Sequence, residues 1–166
     1  MSRFSCTANM LRGPFRKLAR NLELTLRKPV IRKLGPLGRH IDARFQQRDT
    51  RTALAAAKEE ARIVARANPK PLPTATSAAV DRTSGRIVAL GHARDPVDVP
   101  PSLATTLPQE SLEDWSVTNC AEVSAASQAI RAGSRLEDLV IQTVRTRSGD
   151  LYAPCNNCTS WLPEGI

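Results

Sequence analysis

Three cysteines and one glutamate in the last third of this 166-residue chain have the types and spacing for metal chemistry. The run DWSVTNCAEVSAASQAI carries Cys120 and Glu122, and the run LYAPCNNCTSW carries Cys155 and Cys158. Ala121 to Ile130 is rich in helix formers with apolar residues at short helical spacings, which places Cys120 at a helix start. Cys155 and Cys158 are three residues apart, so a first helical turn would present both thiols on one face. Three thiolates from two helix starts can hold one Zn2+ and leave its fourth position to water. They would bring the site's local charge to about −1, which the free N–H groups of two helix N-termini would offset. Glu122 lies two residues past a ligand, within reach of that water and able to carry its proton.

The elements that must hold these residues are legible around them. Residues 50–67 read as a helix capped by Asp49 or Thr50, with Leu54, Ala57, Ala61, Val64 and Ala65 as a narrow apolar face. NPKPLP at 68–73 breaks it. TSAAVDRTSGRIVALG reads as a hairpin: a strand over 77–80, a turn over 81–85 and a strand over 86–90. Residues 91–115 are loop-like, with four prolines, and precede the helix begun by Cys120. A third strand is expected over 139–145, where Val140, Ile141, Thr143 and Val144 are sheet formers. Strand, helix, strand makes a crossover unit, so the strands at 86–90 and 139–145 are expected to lie parallel with a right-handed connection. SGD at 148–150 makes a turn, and Pro154 opens a last short helix.

Charge divides the chain. Lys and Arg total 24 against 16 Asp and Glu, a formal +8. Residues 1–75 hold 17 basic and 5 acidic residues, whereas residues 76–166 hold 7 and 11. The sequence thus divides into a basic N-terminal arm or linker, 1–45, and a domain over 46–166 whose motif-bearing core is 76–162. Leu18, Leu22, Leu26 and Val30 offer an apolar stripe in the arm, interrupted by Pro29 and ended by GPLG at 35–38. The arm reads either as a tail or linker, or as a segment that binds nucleic acid or a partner. No apolar run reaches eighteen residues, so no membrane span is expected. The N-terminus lacks the unbroken apolar stretch of a secretory signal, while its Arg-rich, acid-poor character also suits an organelle-targeting peptide. Four cysteines, two of them in C-x-x-C, do not form a disulfide scaffold, and zinc thiolates suit a reducing compartment.

The Cys-Ala-Glu and Pro-Cys-Asn-Asn-Cys runs resemble the paired signature of the zinc-dependent nucleobase (cytidine) deaminases, H-x-E then P-C-x-x-C. A cysteine in the first position is similar to the YwqJ-like branch of bacterial toxin deaminases. The resemblance covers about residues 76–162 and implies an α/β fold of cytidine-deaminase-like type: a three-layer α/β/α domain with a mixed sheet. The family's later strands and helix have little counterpart here beyond WLPEGI, so the fold is expected to be shortened at the C-terminus. The resemblance implies Cys120, Cys155 and Cys158 as zinc ligands and Glu122 as the catalytic proton carrier. It implies substrate contacts from Ala121, Tyr152, Pro154, Asn157 and Trp161, with Asn156 and Asn157 facing the entrance and Pro154 shaping the wall. Trp161 and Trp115 each read either as a stacking surface or as core. Asn119 reads as a helix cap, and His92 as a strand-end or pocket-rim residue.

The expected activity is conversion of cytosine to uracil in single-stranded DNA or RNA by a toxin-like effector. Its site of action would be cytoplasmic after delivery as a secreted toxin, and its partner an immunity protein, with oligomeric assembly also open. The alternatives are deamination of a free nucleoside or small amine-bearing base, and a catalytically inactive deaminase fold that binds partners. A four-thiolate structural site recruiting Cys6, and a redox C-x-x-C, are further readings of the cysteines.

Overall fold

A computed structural model of the protein describes residues 35–94 and 97–162. The expected arm, with its Leu18–Val30 stripe and Cys6, lies outside those residues except for its last positions. Ala43–Ile166 forms a compact unit, and a helix that begins before it continues into it.

That helix, α1, spans Gly35–Ala67, fifteen residues longer at its start than the sequence reading. GPLG opens the helix instead of closing the segment before it. Proline fits a first helical turn, where its missing N–H would be unpaired anyway. Asp49 and Thr50 therefore lie inside the helix and not at its start. Asp49 is buried, with an Arg48 nitrogen 3.5 Å from its carboxylate, and burial raises its pKa above the ordinary value. Ala53, Ala57 and Ala61, at helical i,i+4 spacing, are fully buried. Their small side chains let α1 lie close to the sheet, against Ala78 and Val144 and against Val80 and Val140.

The sheet has three strands: β1 (Ala75–Asp81), β2 (Arg86–His92) and β3 (Leu139–Arg145). Their order is β2-β1-β3, and β1 is antiparallel to both neighbours. The expected mixed sheet is thus corrected. β2 and β3 do run in one direction, as expected of a crossover, but β1 stands between them and, among the described residues, no parallel pair is hydrogen-bonded. The cause is burial: every residue of β1 is buried, so it needs cover on both faces and both edges. Cross-strand hydroxyls reinforce its pairing with β3, through Ser77–Thr143 at 2.7 Å and Thr76–Thr146 at 2.8 Å.

The hairpin turn is held by Asp81, whose Oδ1 accepts from Thr83 and Ser84 N–H at 2.7 and 3.1 Å. Gly85, at φ 66°, takes the left-handed conformation that closes the turn. In the stretch after β2, a one-turn helix α2 (Pro101–Ala104) sends Leu103 into the core. The main crossover helix, α3, spans Ala121–Arg131. It packs on the sheet face opposite α1, where Val123, Ala126 and Ala129 meet Ala79, Ala89 and Ile141. Helix, sheet and helix make three layers, a mixed α/β architecture. Beyond the turn after β3, Leu151 folds back to bridge Val144, and the Tyr152 N–H donates to Thr143 O at 2.9 Å. The outer edge of β3 is thereby partly covered. A last single turn, α4, spans Asn156–Thr159.

Candidate metal centre

The sequence places Cys120, Cys155 and Cys158 in two separate runs; the fold brings them together. Cys120 is the residue that caps α3, and Cys155 the residue that caps α4. Cys158 lies within α4, and its N–H donates to Cys155 O at 2.9 Å, which locks the pair into one turn. Pro154 comes just ahead of the cap, so it leads into the helix and does not open it.

The three sulfurs all lie within 4.8 Å of one another, with Cys120 and Cys155 at 3.6 Å. Tetrahedral bonds of about 2.3 Å set sulfurs about 3.8 Å apart, so this triangle fits a thiolate-bound ion. Cys120 and Cys158 are buried, whereas Cys155 is partly open. Hydrogen bonding from Cys158 brings the Cys120 thiol down to about 7; the Trp115 indole and Cys155 pull the same way, against burial and the Glu122 charge. Cys158 moves strongly upward, because its proton is shared toward Cys120 and because it is buried beside Glu122. Burial also raises Cys155. The cluster is therefore poised to release protons when a cation replaces them.

Glu122 is buried in the first turn of α3, only 6% exposed. Its Oε1 accepts from the Thr143 hydroxyl at 2.9 Å, and its Oε2 accepts from the Cys158 thiol at 3.6 Å. Thr143 is held in turn by Ser77. Once Cys158 is a thiolate it has no proton to donate, and Oε2 is free to face whatever the cluster holds. Thr143 and Ser77 give no local signal in the sequence, where both read as ordinary strand residues.

The loop before the 3-10 turn at Val117–Asn119 shapes the surroundings. Asn157 is fully buried, with its Oδ1 accepting from Leu112 N–H at 2.7 Å and its Nδ2 donating to Ser111 at 3.0 Å. The Asn156 N–H donates to Glu113 at 2.8 Å. These bonds staple the 111–115 loop to α4, so Asn157 sits behind the site and not at its entrance. The loop carries Trp115, which is 42% exposed while its indole reaches Cys120. Trp161 is the core member of the pair, buried with Cys120, Cys158 and Leu103.

Ala121 is also buried, its carbonyl pressed against Gly91 of β2. Tyr152 is partly exposed under the Arg145 guanidinium, 4.3 Å from its ring centre. Asn119 does not cap α3, since Cys120 occupies that position. His92 is drawn to the α1 side, 3.1 Å from Glu60. Among the described residues, no helix is long and apolar enough to cross a membrane. No protein-family model, curated protein or solved structure matches the chain.

Proposed function

We propose that the protein is a zinc-dependent hydrolytic deaminase that converts cytosine to uracil in single-stranded nucleic acid, acting as a toxin-like effector. The observation that carries this reading is a buried carboxylate aimed into a three-thiolate cluster: Glu122 touches Cys158 and is braced by Thr143. A purely structural thiolate site has no use for an acid there, and a redox C-x-x-C has no use for Cys120. The three-layer fold is compatible with the cytidine-deaminase-like architecture that the motif pair resembles.

Cys120, Cys155 and Cys158 would hold zinc, which when bound would supply a Lewis acid that acidifies a water. Glu122 does the proton work. Its Oε2 accepts a proton from the attacking water and passes it to N3 of the cytosine ring. The water oxygen adds at C4. Glu122 then takes the remaining proton from the new C4 hydroxyl and hands it to the amine; the C4–N bond breaks as the C4 carbonyl forms, and uracil and ammonia leave. Trp115, half-exposed beside Cys120, offers a face on which a base can stack. Such a toxin would act in the cytoplasm and be neutralised by an immunity protein covering the cluster.

The test is product mass. Zinc-loaded protein and its Glu122→Ala variant are offered single-stranded DNA, RNA, duplexes and free nucleosides. Exchange of amine for carbonyl adds about 1 Da. A gain seen with the wild type on single strands and absent with the variant is the expected result. No gain on any substrate, with zinc bound and the fold intact, overturns deamination.

A further inference from the structure

We infer that a basic groove between α1 and the turn after β3 holds the phosphates of a single-stranded nucleic acid. This assignment rests on the polynucleotide part of the reading above and is independent of deamination. The groove has a volume of about 570 Å³ and is lined by Lys58, Arg62 and Arg66 on one wall and Arg147, Ser148 and Gly149 on the other. Lys58, Arg62 and Arg66 recur at i, i+4 and i+8, so one helix face presents a row of cations about 12 Å long.

The charge is concentrated there. Ala43–Ile166 carries 14 Lys and Arg against 14 Asp and Glu and is formally neutral. Four of those cations line the groove, with Asp150 the one acid among its lining residues. Glu59 lies next to it and pairs with Arg62, which fixes that guanidinium on the helix flank. All four cations are exposed, so a phosphate can reach them without burying an unpaired charge. Ser148 adds a hydroxyl, a common phosphate donor. A polyanion gains from such a row by releasing its condensed counterions, a gain that a lone small anion lacks.

Position links groove and metal centre. Asp150 lines the groove and Cys155 is a candidate ligand, five residues further on, a span of at most about 18 Å. Along that span lies Tyr152 beneath Arg145, an aromatic and a cation stacked together. A strand anchored in the groove can follow this segment and present a base to the cluster.

Binding of a fluorescein-labelled single-stranded DNA to zinc-loaded, full-length protein, followed by anisotropy across a salt titration, tests the groove. The variant Lys58→Glu/Arg66→Glu is compared with Arg86→Glu/Arg135→Glu, which changes net charge equally at exposed positions outside the groove lining. The groove variant should bind about tenfold or more weakly and lose about two units of salt slope. The control should lose far less. A milder Lys58→Gln/Arg66→Gln variant, with unchanged circular dichroism and zinc content, should fall between the groove reversal and wild type. Equal losses in groove and control variants, or none in either, overturn the assignment. Binding that depends on the groove without any product mass change would leave the groove standing and remove deamination. Product formation that is indifferent to the groove would do the reverse.

Discussion

The Thr143 hydroxyl donates to Glu122 Oε1 across 2.9 Å and so ties the middle of β3 to the first turn of α3. Thr143 has one proton to give, so Ser77, at 2.7 Å, must donate to Thr143. Two strands thereby set the angle of one carboxylate. Thr143→Val keeps the shape and removes the donor. It should lower kcat by roughly 10–100-fold, with KM and metal content near wild type, whereas Thr143→Ser should retain most activity. Steady-state kinetics with metal analysis separates this from a folding defect.

Metal binding should be proton-linked. Cys158 and Cys155 have raised pKa values and hold their protons at neutral pH, whereas Cys120 at about 7 is half ionised. Loading at pH 7 should release between about two and three protons per ion, and affinity should fall steeply on acidification. Calorimetry in buffers of differing ionisation enthalpy reads the number directly. Cys158→Ser should abolish tight binding of one ion per chain.

Asp81 supplies a stability term with a definite pH window. Burial alone would raise its pKa, but hydrogen bonds from Thr83, Ser134 and the Ser84 N–H outweigh it and leave the carboxyl below 3.8. A depressed carboxyl stabilises the fold above its unfolded value of about 3.9, and that contribution is lost as pH falls through the folded value. Asp81→Asn should therefore cost about 1–3 kcal/mol at pH 7, with the gap to wild type closing below about pH 4. Denaturant melts at several pH values test the crossover.

Gly91 is where β2 meets the start of α3. A Cβ there would lie 2.3 Å from Ala121 O and 2.4 Å from Ala125 N, both backbone atoms that cannot swing aside. Gly91→Ala should destabilise the protein by about 1–3 kcal/mol or more. Because the displaced turn carries Glu122 and follows Cys120, metal affinity should weaken together with the melting temperature. A variant with reduced melting temperature and undiminished affinity would show that the centre does not depend on this contact.

Local spacing was enough to mark Cys120, Glu122, Cys155 and Cys158, because thiols three residues apart share a turn and a ligand beside a helix former caps that helix. The hairpin at 81–85 and the third strand at 139–145 were legible for the same reason: turn chemistry and β-branched runs act over a few residues. The start of α1 was not, since glycine and proline mark both ends of helices and only packing decides which. Strand order also escaped the sequence. Nothing local says that β1 takes the centre; burial of all its residues between two helices and two strands does. The tertiary structure alone decided which tryptophan is core and which is exposed, and why Asn157 clamps a loop. It also decided that Thr143 reaches Glu122 with Ser77 behind it, and that cations 89 residues apart, Lys58 and Arg147, share one groove. Such partners are joined by folded geometry across long stretches of chain, which residue spacing does not encode.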